Sequence, residues 1–196
     1  NSEGQVINKY DKIHLVPFGE YIPFRRNFKK IAELLSLKDF TSGILNKNYN
    51  LKGFGDILTL ICYEVLFSKE VVKRVSNNTK LIINVTNDAW FGETIGPYQH
   101  LDLAKIRAVE LGLPLVRVAN TGISALISPY GEEIIKIPLY KEGVKYTHLI
   151  PALNETMYKK IGEAIFVISI LFLLFSDGST KLIAIGIQKN TMKVCI

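Results

Sequence analysis

The sequence contains few cysteines: 2 among 196 residues, at Cys62 and Cys195. Two thiols so far apart in sequence define neither a disulfide framework nor a metal-binding motif. Also missing are zinc-finger spacing, a recognition-helix pattern and the aromatic signature of RNA-binding domains. A net charge of +6 and an isoelectric point near 9.2 would suit an anionic membrane surface as well as nucleic acid. Charge alone is therefore weak evidence for a nucleic-acid partner, and we expect none.

The sequence has no methionine at its start and no visible signal peptide. We therefore expect it to be a fragment or a processed product. Its length predicts one domain with a substantial core. A hydrophobic content of 48% and a charged content of 21% are typical of a globular protein, whereas a mean hydropathy of +0.19 is high for a purely soluble one.

Cys62 stands at the end of the apolar run Leu58 to Ile61 and two residues before Glu64. A buried strand would hold the backbone rigid while its carboxyl end opens towards a pocket, so a cysteine there would be both fixed and reachable. This pattern favours a catalytic nucleophile at Cys62. The alternative is a core strand in which the cysteine is a small hydrophobic residue.

Alternating strands and helices, followed by a strand-rich end, predict an α/β protein. Strands are expected at Gln5 to Tyr10, Ile57 to Cys62, Lys80 to Val85, Leu115 to Val118, Ser124 to Ser128, Glu132 to Ile137 and Tyr146 to Ile150. Helices are expected at Phe24 to Leu37, from an N-cap at Ser68 to Val75, and at Pro97 to Leu111. Residues Lys38 to Phe54, rich in asparagine and glycine, predict a surface loop.

Two loops carry most of the remaining chemistry. Tyr10 to Pro23 combines a lysine, a histidine and a carboxylate with two prolines and a glycine that fix the backbone path. Thr86 to Gly92 places Trp90 and Phe91 directly after a strand, as a pocket wall or lid would. The alternatives are a turn with solvated charges for the first loop and a loop anchored by its aromatic residues for the second.

Ile161 to Phe175 is nearly all apolar and follows Lys159 and Lys160. This run is shorter than the ~20 residues that span a bilayer, but flanking residues could extend it. We expect a terminal membrane helix over residues 159–176, with a buried core helix as the alternative. The tail, residues 177–196, has no clear assignment.

Four short motifs, in order, resemble the nitrilase superfamily and, within it, the apolipoprotein N-acyltransferases of the bacterial envelope. The resemblance covers about Gly4 to Ile150. The motifs are Tyr10-x-Lys12-x-His14-Leu15-Val16-Pro17-Phe18-Gly19-Glu20, Ile61-Cys62-Tyr63-Glu64, Asn87-Asp88-Ala89-Trp90-Phe91-Gly92 and Gly96-Pro97-Tyr98-Gln99-His100.

The resemblance implies an αββα sandwich with a Glu-Lys-Cys triad, of which residues 1–158 would form the carboxyl-terminal part. Lys12 would be the lysine and Cys62 the nucleophile. The general-base glutamate of the family lies upstream of this lysine, and we expect that the present chain starts too late to contain it. Glu20 and Glu64 match further carboxylates near the site. Trp90 and Phe91 match the loop over the acyl pocket, and the backbone of Tyr63 would help to bind substrate.

The implied reaction moves a fatty acyl group from a phospholipid, through a thioester on Cys62, to the amine of a diacylglyceryl-modified lipoprotein. The implied location is the bacterial inner membrane, with the catalytic part on the periplasmic side. We expect this chain alone to be inactive or nearly so, and the sequence gives no sign of a metal or organic cofactor. Two alternatives remain: a soluble nitrilase-like amidase, and a catalytically dead membrane-attached remnant.

Overall fold

Residues 49–137 form one six-stranded sheet whose strands follow one another in chain order. The computed structural model describes residues 3–24, 39–44, 48–164 and 166–176. The strands are β1 Tyr49–Leu51, β2 Gly55–Ile61, β3 Thr79–Asn87, β4 Leu115–Asn120, β5 Ser124–Ile127 and β6 Glu133–Ile137. The helices are α1 Ser68–Arg74, α2 Gly96–Leu111 and α3 Met157–Ile161, and 3-10 turns occupy Cys62–Leu66 and Asp88–Phe91.

The sheet is mixed. Strands β2, β3 and β4 are parallel, and β1, β5 and β6 each run antiparallel to their neighbours. The predicted α/β class and the carboxyl-terminal β-meander are therefore confirmed. Because parallel strands end at the same edge, the carboxyl ends of β2, β3 and β4 bring Cys62, Asp88 and Asn120 to one side of the molecule.

One face of the sheet is covered by α1 and α2. Leu58, Ile82 and Leu115 pair across β2, β3 and β4, and all three are fully buried. Parallel strands need a crossover connection between them, and here each crossover carries a helix that covers these side chains. The helix residues of this core are Val71, Leu101, Ala104, Ala108 and Leu111.

The other face of the sheet is apolar but partly exposed. Ile61, Val85 and Val118 pair across the same three strands, and Val85 and Val118 are 47% and 52% exposed. A β-strand with apolar residues on both faces is typical of a sheet covered on both sides. The described residues form one sheet, and this second face is where the predicted sandwich would place its other sheet.

Helix α2 was predicted closely, because its end carries a strong signal. Gly112 adopts the left-handed conformation, with φ of 64°, and its N–H caps the carbonyls of Ala108 and Val109. Glycine takes this conformation without the steric cost of a Cβ atom. Helix α1 also exists, but its N-cap is Phe67 and not Ser68, and the cap has no side-chain hydrogen bond.

Three strand or loop predictions were wrong. Gln5 to Tyr10 forms no strand, and Val6 and Ile7 are exposed, because an alternating pattern of polar and apolar residues does not by itself determine a strand. Tyr146 to Ile150 is also not a strand. Within the predicted loop Lys38 to Phe54, β1 forms a hairpin with β2 through the left-handed Gly53.

The chain divides into two compact units, residues 1–156 and 157–196. In the second unit, α3 ends before the left-handed Gly162, and residues 166–176 are helical with exposed apolar side chains. No helix among the described residues has both the length and the apolar character needed to cross a membrane. The membrane helix predicted for Ile161 to Phe175 is therefore not shown.

Two predictions fall mainly on residues that the structure does not describe. Of the amphipathic helix predicted from Phe24 to Leu37, only Phe24 is among the described residues. The tail, residues 177–196, lies wholly outside them.

The two faces of β3 give a test of the core. Replacing the fully buried Ile82 by alanine removes apolar contacts within the core, so we expect the free energy of unfolding to fall by about 2–4 kcal/mol in urea titrations. The half-exposed Val85 is the matched control, and Val85→Ala should cost less than about 1 kcal/mol. Equal losses for the two variants would contradict the assigned faces.

Candidate active site

Cys62 follows β2 directly and has a strained backbone. Its φ is 53°, in the left-handed region that residues other than glycine rarely occupy. The 3-10 turn Cys62–Leu66 begins at this residue. Strain of this kind costs about 1–3 kcal/mol and persists only when the surroundings hold it, which is common at functional sites.

Glu64 supplies much of that support. Its side chain is 4% exposed and accepts hydrogen bonds from the backbone N–H groups of Ile61, Ile13 and His14 at 2.7, 2.7 and 3.1 Å. The hydroxyl of Tyr10 donates to the same carboxylate at 2.8 Å. Glu64 therefore binds the turn that carries Cys62 to the segment that carries Lys12.

Tyr10 and Arg74 complete this tether. Arg74 Nη1 donates to the Tyr10 hydroxyl at 2.8 Å, and Arg74 Nη2 donates to the carbonyl of Thr59 in β2 at 2.7 Å. Burial, and then the hydrogen bond and charge of Glu64, raise the pKa of Tyr10 above its ordinary value. The phenol therefore remains protonated and continues to donate to Glu64.

Lys12 pairs with Glu20 and not with Glu64. The Lys12 ammonium lies 2.6 and 2.8 Å from the two oxygens of Glu20, and the side chains are 11% and 19% exposed. Glu20 also accepts the N–H of Val16 at 2.8 Å. Glu20 thus orients the ammonium, while Glu64 holds the backbone next to it.

A cavity of about 260 Å³ opens beside Cys62. Its lining residues are Val16, Gly19, Glu20, Cys62, Tyr63, Asn87, Trp90 and Phe91. A second cavity of about 720 Å³ is lined by both Lys12 and Glu20. Glu20 borders both cavities, whereas Lys12 lines only the second of them and Cys62 only the first.

Aromatic rings form one wall of the smaller cavity. Tyr63 lies 6.1 Å from Phe91 and 5.4 Å from His100, measured between ring centroids, and Phe91 meets His100 edge-on at 5.6 Å. Trp90 lines the cavity while remaining 74% exposed. An apolar wall next to a thiol suits an acyl chain or another apolar group.

Asp88 is part of a buried polar cluster that sequence reasoning missed. Its carboxylate accepts hydrogen bonds from Thr86 at 3.0 Å and from Arg117 at 2.7 Å, and it lies 3.0 Å from His100 Nδ1. Burial acts to raise the pKa of Asp88, but the His100 hydrogen bond and the Arg117 charge outweigh it, so the pKa lies below the usual value. The available signal was Arg117 itself, a charged residue at an inward-facing position of an apolar strand.

Replacing Glu64 by glutamine should loosen the tether, because an amide cannot accept all the donors that the carboxylate accepts. We expect a loss of about 2–3 kcal/mol in the free energy of unfolding and faster hydrogen exchange at the amides of Ile13 and His14. Glu70 contacts the same loop through His14 Nδ1 at 3.1 Å but is exposed, so Glu70→Gln is the matched control. Unchanged exchange at Ile13 in the Glu64 variant would refute this role.

The lowered pKa of Asp88 predicts a loss of stability in acid. Its contribution is fully present above the unfolded aspartate pKa of about 3.9 and disappears as the pH falls through the lower, folded value. Measured unfolding free energies should therefore fall more steeply below about pH 4 in the wild-type chain than in Asp88→Asn. Parallel pH profiles for the two proteins would show that Asp88 titrates as it does in the unfolded chain.

The chain is similar in sequence to several curated proteins. The chain is 43% identical over 165 residues to the apolipoprotein N-acyltransferase of Rhodopseudomonas palustris, covering 82% of this chain and 30% of that protein. It is 46% identical over 160 residues to the apolipoprotein N-acyltransferase of Allorhizobium ampelinum, covering 80% and 30%. The chain thus spans about a third of the length of these relatives.

The fold is also found in a solved structure. Saccharomyces cerevisiae Nit3, a member of branch 10 of the nitrilase superfamily, superposes with a TM-score of 0.52 at 19% identity, covering 72% of this chain and 48% of that one. At this identity the likeness concerns the fold alone. The carbon-nitrogen hydrolase family model matches residues 1–157, most of the chain, and on that evidence the protein belongs to the carbon-nitrogen hydrolase family.

Proposed function

We propose that this chain carries the nucleophile of an acyltransferase that moves a fatty acyl group from a phospholipid to the N-terminal amine of a diacylglyceryl-cysteine lipoprotein. The observation that carries the proposal is the strained Cys62 in a cavity whose Glu20 binds the ammonium of Lys12. Similarity to proteins named apolipoprotein N-acyltransferase supports this substrate class.

In the first half-reaction, the thiolate of Cys62 attacks the ester carbonyl of the phospholipid. A carbon–sulfur bond forms and the ester carbon–oxygen bond breaks. The leaving oxygen takes up the proton that the general base removed from the thiol, so a lysophospholipid departs as an alcohol and the acyl chain stays on Cys62 as a thioester. Negative charge develops on the carbonyl oxygen, and the Lys12 ammonium with the backbone N–H of Tyr63 would stabilise it. Trp90 and Phe91 would contact the acyl chain.

In the second half-reaction, the amine of the lipoprotein attacks the thioester. An amide bond forms, the carbon–sulfur bond breaks, and the thiol of Cys62 is restored. Donor and acceptor therefore use one site in turn, which predicts ping-pong kinetics.

Neither Glu20 nor Glu64 fits the role of general base. Glu20 is bound to Lys12 and to the N–H of Val16, and Glu64 accepts three backbone N–H groups and a hydroxyl. A base must reach the proton that it removes, and both carboxylates are already committed to other donors. The proposal therefore keeps the base in the family position upstream of Lys12, and it assigns positioning roles to both glutamates.

The proposed location is the bacterial inner membrane, with the catalytic unit on the periplasmic side and residues 159–176 as its attachment. The apolar side chains of residues 166–176 are exposed, which supports contact with an apolar phase.

An activated ester separates acylation of Cys62 from the need for a complete base. With p-nitrophenyl palmitate, intact-mass spectrometry should detect one acyl group on the wild-type chain and none on Cys62→Ser. Lys12→Met should slow acylation about 100-fold, the effect of removing one oxyanion-stabilising group. Lys9→Met is the matched control, because Lys9 is an exposed lysine of the same segment and pairs with Asp11. In this variant, Cys62 should be acylated at the wild-type rate. No adduct on Cys62 would overturn the proposed function.

Phospholipid vesicles test the dependence on an upstream base. With phosphatidylethanolamine vesicles as donor, the chain alone should form little or no thioester on Cys62. A rapid, Cys62-dependent adduct under these conditions would show that the chain needs no further residue for the first half-reaction.

A further inference from the structure

Arg117 is a charged residue at a buried position, which is energetically unfavourable. It lies in the middle of β4 and is 1% exposed, on the face of the sheet that packs against the helices. Taking a charged group out of water costs several kcal/mol, and well-packed apolar residues of similar volume often replace buried ion pairs without loss of stability. A purely structural role would be met by an apolar side chain such as that of Leu115, two residues earlier on the same face.

Two of the contacts of the guanidinium lead towards different parts of the site. Nη1 donates to the side-chain oxygen of Asn84 at 2.6 Å, and Nη2 donates to Asp88 at 2.7 Å. Asn84 faces Arg117 across the β3–β4 pair and Leu60 across the β2–β3 pair. The three side chains thus form one row beneath the helices.

One arm of this cluster reaches the nucleophile. A guanidinium can only donate, so it fixes the Asn84 amide with its oxygen towards Arg117 and its nitrogen towards β2. That nitrogen lies 3.4 Å from the carbonyl oxygens of Leu60 and Cys62. Asn84 therefore contacts the strained Cys62 peptide through its carbonyl, whereas Glu64 holds the N–H of the preceding Ile61.

The other arm reaches the loop over the cavity. Asp88 is the first residue of the 3-10 turn Asp88–Phe91, which carries Trp90 and Phe91. His100, which contacts both Asp88 and Arg117, packs its ring against Tyr63 and Phe91. Fixing Asp88 therefore fixes the aromatic wall next to the thiol.

We infer that Arg117 is a positioning residue. Through Asn84 it fixes the position of the turn Cys62–Leu66, and through Asp88 it fixes that of the turn Asp88–Phe91. The nucleophile and the aromatic wall of the cavity thereby keep a fixed geometry relative to each other. Electrostatics support this placement. Burial lowers the pKa of Arg117, and the charge of Asp88 acts to raise it through the contact that fixes the 3-10 turn Asp88–Phe91.

The inference rests on the proposed role of Cys62 as nucleophile, but its test needs no acyl transfer. Cys62 and Cys195 are the two cysteines of the sequence, and Trp90 is its one tryptophan. In a Cys195→Ser background, the rate of alkylation by iodoacetamide at fixed pH measures the reactivity of the Cys62 thiol. The emission maximum of Trp90 and its quenching by acrylamide measure the environment of the turn Asp88–Phe91.

Arg117→Met should slow alkylation of Cys62 about tenfold and shift the Trp90 signal, because misplacing a reactive group by a fraction of an ångström has effects of this size. Asn84→Ala should slow alkylation while leaving Trp90 unchanged, since it breaks only the first arm. Arg107→Met is the matched control: Arg107 is also a buried arginine, but it pairs with Glu110 on its own helix, and both signals should remain wild-type.

A merely structural role predicts another pattern. Loss of packing would lower the unfolding midpoint and leave alkylation of the folded protein unchanged or faster, and that result would overturn the inference. If Arg117→Met does not fold, Arg117→Lys decides the question, because one ammonium keeps the charge but cannot bridge Asn84 and Asp88 as a planar fork does. Wild-type values for both signals in the lysine variant would overturn it as well. The two proposals can fail separately. If the activated ester does not acylate Cys62 but the variants change Cys62 alkylation and Trp90 fluorescence as expected, the proposed function is rejected and the role of Arg117 stands.

Discussion

The site depends on one carboxylate that joins distant parts of the chain. Glu64 binds the backbone of Ile13 and His14, about fifty residues earlier, and at the same time the N–H of Ile61 at the end of β2. A loop of that length has a large closure entropy, which four hydrogen bonds to one buried group help to offset. Without this link, the ammonium and the thiol would belong to independently moving segments.

The sheet supplies a second layer of support from below. Asn84 and Arg117 occupy positions where the pattern of β3 and β4 would otherwise place apolar side chains. Their hydrogen bonds converge on the carboxyl ends of the parallel strands, where Cys62 and Asp88 emerge. This polar cluster and the strained Cys62 lie at this edge, while the row of Leu58, Ile82 and Leu115 behind them is wholly apolar. Stability and chemistry thus occupy separate parts of the same three strands.

The sequence predicted those parts of the structure that local patterns determine. Local patterns predicted the strand Leu58 to Ile61, the helix end at Gly112 and the β-meander. Burial leaves a periodic pattern of apolar residues, and a helix end is marked by its capping residue. Strands that depend on distant parts of the chain were not predicted: Gln5 to Tyr10 alternates but forms no strand, and β1 forms in an asparagine-rich segment. The motifs led to Cys62, Lys12 and Glu20, but no spacing rule could reveal that Glu64 binds backbone and not the lysine. Arg117 was missed because a single charge within Leu115 to Val118 carries no periodic signal.

The ion pair between Lys12 and Glu20 also bears on chemoselectivity. An amine beside an activated acyl group would ordinarily compete with the intended acceptor and become permanently modified. An ammonium hydrogen-bonded to both oxygens of Glu20 has no lone pair with which to attack. If the proposed function holds, the same contact would protect Lys12 from acylation by the thioester, so the site would remain intact over repeated turnovers.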